Sequence, residues 1–204
     1  MDAASFLALA LQCAPQVAPD TMLAIASHES ALRPNIMANN NTKERAEGAT
    51  PAEAIEKASA WIALGHSVDM GLMQINSHNL PRLGLTVADV FVPCINVQAG
   101  ARILGDAYRE AGIREGDRAA ALRMALSAYN TGNFSAGISN GYVAAVEGQA
   151  AAYVVPSIAG AAQSTPPALR VRPASPARPA QGAASPTSGG DWNPFGRSDR
   201  GSVF

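Results

Sequence analysis

Apolar positions over residues 3–13 predict a helix that stops before Pro15. A second helix starts at Pro19 and Asp20, where proline suits the first turn and an acid suits the positive helix end. It ends before "RPN", because the residue ahead of Pro34 is pushed out of helical geometry. On a helix turning about 100° per residue, Met22, Ile25, Ala26 and Glu29 share one stripe. That stripe places a carboxylate where the core is expected.

Residues 38–49, "ANNNTKERAEGA", are polar and read as a loop. "TPAE", Thr50 to Glu53, matches a capping box with proline inside it and opens a helix through Leu64 that Gly65 closes. "GHSVDMGLMQINSHNL" has neither a helical nor a strand period, so it reads as a loop or short extended segment leading into a brief helix. Asn96 is expected to cap a helix to Ala111, closed by Gly112, and Asp117 another to about Asn130, closed by Gly132. A last helix follows Gly141 to about Val154. The sum is a mainly α-helical domain over residues 1–154, with a short irregular or β-like segment near "GLMQIN".

From Pro156 onward the chain is rich in Pro, Ala, Ser and Gly, with almost no large apolar residues. Such a composition cannot offset its ordering entropy by burial, so residues 155–204 are expected to be a disordered tail. Its end, "DWNPFGRSDRGSVF", is an aromatic island that could act as a docking peptide. No internal repeat is visible.

Composition refines this picture. Hydrophobic residues make up 48% of the chain and aromatics only 5%, which favours close-packed helices over a sheet. The net charge of −1 gives no indication of a nucleic-acid or membrane-surface partner. The tail holds five Arg and two Asp, a local +3, leaving −4 for residues 1–154. No apolar run approaches the roughly 18–20 residues of a transmembrane helix. The start, "MDAASFLALALQCAPQVA", has a short apolar core like a signal peptide but carries Asp2 where a basic residue is expected, so it reads as the first helix of the domain. Cys13 and Cys94 lie 81 residues apart and fit no metal spacing. They are either a disulfide, worth roughly 4–5 kcal/mol by chain entropy, or two buried thiols.

A glutamate on an apolar face is either paired with an arginine, Arg33 or a distant one, or kept protonated for use as a general acid. "GLMQIN", Gly71 to Asn76, sets one amide, Gln74, among apolar residues beside a glycine that lets a ligand approach the backbone. "SAYNTG" ends a helix whose apolar face includes Tyr129, so that its hydroxyl and Asn130 are expected at a rim.

In this order, "ES" (Glu29, Ser30), "GLMQI" (71–75), "AYN" (128–130) and more loosely "YV" (Tyr142, Val143) resemble the lysozyme-like soluble lytic transglycosylases. "GHSVDMGLMQINSHNL", "PCINVQAGARIL" and "ALSAYNTGN" are most similar to the transglycosylase component of type IV secretion systems. The resemblance covers roughly residues 5–150. One departure is the 42-residue spacing of Glu29 and Gly71, longer than in many relatives.

The resemblance implies a lysozyme-like α-helical fold and a single carboxyl, Glu29, doing both proton transfers. Glu29 would protonate the oxygen between N-acetylmuramic acid and N-acetylglucosamine, then take the proton of the muramic C6 hydroxyl as that oxygen closes onto C1. The product is a 1,6-anhydromuramoyl end, made without water. Ser30, Gln74, Tyr129, Asn130 and Tyr142 would bind or orient the sugar, and Met73 would pack beside the acid. Most glycosidases pair two carboxylates. Asp69, the acid nearest "GLMQI", reads as a solvated loop residue, and His28 as a surface residue. No metal is expected, since His28, His66 and His78 lack ligand spacing, and no cofactor. The implied partners are peptidoglycan strands and, through the tail, other secretion components. The implied compartment is the bacterial periplasm. A peptidoglycan-binding scaffold without turnover is the alternative reading, and an unrelated helical interaction protein a third.

Overall fold

The computed structural model describes residues 1–114 and 116–153. The segment 155–204, expected to be a tail, lies outside the described residues.

Helix α1 spans Ala3–Cys13 and α2 spans Pro19–Ser30. Asp2 caps α1 by accepting from the Ser5 N–H at 2.8 Å. Phe6, Ala10 and Cys13 turn one face of α1 into the core. In α2 the residues Met22, Leu23, Ala24, Ile25 and Ala26 are all buried. The helix ends at Ala31, whose left-handed backbone (φ 51) is followed by a second left-handed residue, Leu32 (φ 58). Non-glycine residues seldom adopt this region. Here the Leu32 carbonyl accepts from the chain's amino terminus at 2.8 Å, and the Leu32 side chain is buried.

Residues 38–49 are not a plain loop. Strands β1 (Ile36–Asn39) and β2 (Arg45–Glu47) form an antiparallel hairpin, with Met37 opposite Ala46. The polar run makes the turn itself. Asn39 Oδ1 accepts from the N–H groups of Asn41 and Thr42, and Lys43 sits in the left-handed region (φ 64). Short polar side chains that bond their own backbone stabilise such turns. β1 also pairs with β3 (Val68–Met70), which pairs with β4 (Ile75–Asn76), giving a sheet ordered β2-β1-β3-β4.

Helix α3 (Pro51–Ala63) lies between the hairpin and β3, capped by Thr50, which accepts from the Glu53 N–H at 3.2 Å. The Glu53 carboxylate reaches back to the Ala49 N–H, one residue before the expected partner. A 3-10 turn (Ser77–Asn79) and short helices α4 (Leu80–Leu83) and α5 (Val87–Val90) follow. The long helix α6 spans Pro93–Arg114. Asn96 is therefore inside this helix and 1% exposed, not its cap, because Pro93 already supplies a first-turn residue that needs no N–H partner. α7 (Arg118–Thr131), capped by Asp117, ends at Gly132 (φ 73) as expected. α8 (Ala136–Ser139), which the pattern did not suggest, precedes α9 (Tyr142–Ala152).

The core forms where α1, α2, α6, α7 and α9 pack, and it continues under the sheet through Met37, Val68, Met70 and Ile75. Cys13 and Cys94 are joined as a disulfide, which decides between the two readings of this pair. It ties the end of α1 to the first turn of α6. No described helix is long and apolar enough to cross a membrane.

Candidate active site

Glu29 lies in the last turn of α2, where the buried stripe Met22–Ile25–Ala26 emerges from the core. It is neither sealed inside nor open to bulk water, but partly buried. Arg33, the partner suggested by proximity, pairs instead with Glu47 at 3.2 Å. The Glu29 carboxyl is held from the far end of the domain. Tyr142, the first residue of α9 and 6% exposed, donates its hydroxyl to Glu29 Oε1 at 2.7 Å. Gly141, at φ 87, turns the chain so that α9 can begin with this side chain against α2. The His28 ring meets the Tyr142 ring edge-on, with centroids 5.0 Å apart and planes at 82°. Partial burial and then the Arg45 guanidinium hold the His28 imidazole below its ordinary value, so it is neutral at pH 7.

The end of α2 leaves carbonyls that no helical N–H can reach. Two arginines take them. Arg33 Nε donates to the Ser30 carbonyl at 3.1 Å, and Arg45 Nη2, from β2, donates to the Glu29 carbonyl at 2.9 Å. Cations suit the negative end of a helix dipole, so the backbone carrying the acid is both capped and electrostatically favoured.

The "GLMQIN" segment forms the turn between β3 and β4, Gly71 to Gln74, and then β4 itself. Gly71 (φ 75) and Gln74 (φ 46) both occupy left-handed backbone, and Gly71 admits no substitute, since an added Cβ would stand 2.3 Å from Asn96 Nδ2. Asn96 clamps this turn from inside α6. Its Oδ1 accepts from the Met73 N–H at 2.7 Å, and its Nδ2 donates to the carbonyls of Met70 (3.0 Å) and Val90 (2.8 Å). All four side-chain hydrogen-bond roles of an asparagine are nearly used up here. Met73 is fully buried against Gly100, where a Cβ would approach its side chain to 2.8 Å. Gln74 stays partly exposed, its amide donating to the Gly71 carbonyl at 2.9 Å.

Tyr129 differs from its expected place. Its hydroxyl does not reach a rim but turns inward and donates to the Met73 carbonyl at 2.7 Å. Burial, then the charges of Glu29 and Asp69, push its ionisation well above the ordinary range, so it remains a neutral donor. Those causes place the ring within the fields of both carboxylates.

Asp69 is likewise no solvated loop residue. It is 8% exposed on β3, and each of its oxygens accepts an amide: Oδ2 from Asn40 at 2.8 Å and Oδ1 from Asn76 at 2.7 Å. The hairpin's polar side chains supply that partner, so the loop expectation and the solvated-acid expectation failed together. Asn130 lies at the end of α7, where its Oδ1 accepts from Asn140 at 3.3 Å. Ser30 is buried, and its hydroxyl donates to the Ala26 carbonyl at 2.9 Å, finishing the helix rather than facing a groove.

Structure thus brings Glu29 to Tyr142 and Met73 to Tyr129, adds Arg45, which sequence reasoning passed over, and gives Asn96 a clamping place instead of a cap, while His28 is exposed as expected yet packs against Tyr142. Asn96 left one usable signal, an amide between the apolar Ile95 and Val97 of α6. Among the described residues no three His, Cys, Asp or Glu side chains converge as a metal site would require.

The chain is 42% identical over 153 residues to the protein virB1 of Agrobacterium fabrum (strain C58), covering 75% of this chain and 62% of that one. It is 41% identical over 133 residues to the type IV secretion system protein virB1 of Brucella abortus biovar 1, covering 65% of this chain and 56% of that one. To the protein virB1 of Rhizobium radiobacter it is 39% identical over 170 residues, or 83% and 70% of the two chains. The chain therefore spans less than two thirds of the length of the first two relatives. No solved structure matches it. Residues 6–151 match the transglycosylase SLT domain, and the chain belongs to that family.

Proposed function

We propose that this chain is a lytic transglycosylase that cleaves the N-acetylmuramic acid to N-acetylglucosamine bond of peptidoglycan without water. The observation that carries this reading is the bond from Tyr142 to Glu29, which joins residues 113 apart and fixes one carboxyl oxygen of the proposed acid. The Glu29 carboxyl is the group assigned to proton transfer. It delivers the proton to the bridging glycosidic oxygen as the C1–O bond breaks and C1 gains oxocarbenium character. The resulting carboxylate then takes the C6 hydroxyl proton while O6 bonds C1, leaving the 1,6-anhydro ring and regenerating the acid. A second carboxylate for activating water is the usual requirement of hydrolysis. Asp69 is the candidate for that role, but both of its oxygens are engaged by Asn40 and Asn76, which supports the one-acid route.

Gln74 and Asn130 are the amides assigned to the sugar, beside the buried Met73. Tyr129 and Ser30 act by holding the turn and the helix end. The site lies in the periplasm on this reading, where the Cys13–Cys94 disulfide would persist. The name of one relative, type IV secretion system protein virB1, supports a place in such an apparatus, and on this reading the chain opens the wall locally for it and residues 155–204 contact its other components. Incubation of purified sacculi with wild type and Glu29→Gln tests the reading. The wild type should release anhydromuropeptides, identified by mass spectrometry, and the variant should release roughly a hundredfold fewer or none. Binding without release by both proteins would make the chain a peptidoglycan-binding scaffold instead.

A further inference from the structure

Arg45 has a position that capping alone does not account for. It lies on β2, an edge strand of the sheet, and is exposed. One of its nitrogens donates to the Glu29 carbonyl at 2.9 Å, so the guanidinium stands at the helix end that presents the acid. The acids next to it in the hairpin are committed elsewhere, Glu44 to Lys57 at 2.9 Å and Glu47 to Arg33 at 3.2 Å. Arg45 itself enters no ion pair among the described residues. Lys43, Arg102 and Arg118 are also outside the ion pairs, but none of them bonds the helix that carries Glu29. A guanidinium has five N–H donors in a planar fork suited to a carboxylate, and one bond to a carbonyl uses only one of them. Its charge is felt at the site, since Arg45 helps to depress the His28 imidazole. The body around it is net negative, so an anionic ligand would be repelled except at such a point.

We propose that Arg45 is a specificity-determining residue that binds a carboxylate carried on the lactyl arm of the muramic sugar next to Glu29. This rests on the peptidoglycan reading above. Two sources share this chemistry: the lactyl carboxylate itself, where the peptide has been removed, and the carboxylates of the attached peptide. Glu29 must face the bond on the C1 side of a muramic sugar, and the lactyl group projects from C3 of that same ring. A cation fixed to the backbone of the acid therefore reads the ring being cleaved, and distinguishes it from N-acetylglucosamine, which has no such anion.

The test uses three sets of glycan strands: peptide-bearing, peptide-free with the lactyl carboxylate exposed, and peptide-bearing with every carboxylate converted to a methylamide. Wild type should show a KM roughly two- to fivefold lower for carboxylate-bearing strands than for the neutralised ones at low salt, the range of an exposed ion pair. The ratio should fall towards one at about 0.5 M salt, where screening is strong. Arg45→Gln, which keeps an N–H donor for the Glu29 carbonyl, should abolish the ratio, and Arg45→Lys should retain much of it. Lys43→Gln, on the same hairpin, should leave it unchanged. A preference confined to peptide-bearing strands would assign the anion to the peptide, and one shared with peptide-free strands would assign it to the lactyl group. A wild-type ratio retained in Arg45→Gln would overturn the proposal. Measured as Kd on the same strands, the ratio tests Arg45 even where a comparison of wild type with Glu29→Gln shows no turnover, so the two readings can fail separately.

Discussion

Glu29 and Tyr142 come from the two ends of the domain, and their contact is the tightest link between the helices that frame the site. A phenol donating at 2.7 Å to a carboxyl oxygen is a strong, directional bond. It does not itself move the proton in the proposed reaction, so its loss should reduce positioning without removing the acid. The His28 ring packs against the Tyr142 ring in a T-shaped contact, which adds to the burial of the Tyr142 ring. Tyr142→Phe should therefore fold normally, because the ring stays buried and only the hydroxyl is lost. It should lower kcat about ten- to a hundredfold, corresponding to roughly 1.5–3 kcal/mol for a bond to a charged group, with KM changed much less. Steady-state kinetics on soluble glycan strands provide the check, and an equal change in both constants would mean that Tyr142 serves ground-state binding.

At the scale of elements, the β3–β4 turn depends on one side chain of another element. Asn96→Ala would remove three buried hydrogen bonds, those to the Met73 N–H and to the carbonyls of Met70 and Val90. At about 1–3 kcal/mol for each buried bond lost, and with partial relaxation, the loss should be on the order of 3 kcal/mol. Denaturant unfolding would measure it, as a lowered midpoint at unchanged slope. The same clamp explains what was legible in the sequence. Helices α1, α2, α7 and α9 were readable because their ends rest on local signals: Pro15, Pro19, Asp117, Gly132 and Gly141 act within a turn or so of where they stand. The hairpin was hidden because its strands are short and its polar residues stabilise a turn through Asn39, which gives no alternation to detect. Asn96 and Asp69 were misread because each is held by a different segment of the chain, Asn96 by Met73 and Met70 at 23 and 26 residues' remove and Asp69 by Asn40 at 29, and an amide or acid on its own is consistent with a cap or a solvated loop. Glu29 was found from its place on an apolar stripe, yet what holds it, Tyr142, could be inferred only through resemblance.

For the whole molecule, the Cys13–Cys94 bond closes a loop of 81 residues that contains α2, the entire sheet and α3 to α5. That loop includes the acid's helix and the β3–β4 turn, and Cys94 stands two residues before Asn96 on the same helix. The small sheet offers little buried area of its own, and the core depends on alanines that pack closely but each bury little surface. A chain-entropy contribution of roughly 4–5 kcal/mol from a loop of this length is then a large share of the 5–15 kcal/mol that stabilises a typical domain. Replacing both cysteines, Cys13→Ala with Cys94→Ala, removes the crosslink without leaving a reactive thiol. At about 2–4 °C per kcal/mol for a domain of this size, Tm should fall by roughly 8–20 °C. Calorimetry of the double variant beside the oxidised wild type measures the difference. Wild type treated with reductant should match the double variant to within a few degrees, since both lack the same constraint. A reduced wild type that kept the oxidised Tm while the double variant lost stability would show that packing of the sulfur atoms, not closure of the loop, is what the pair contributes.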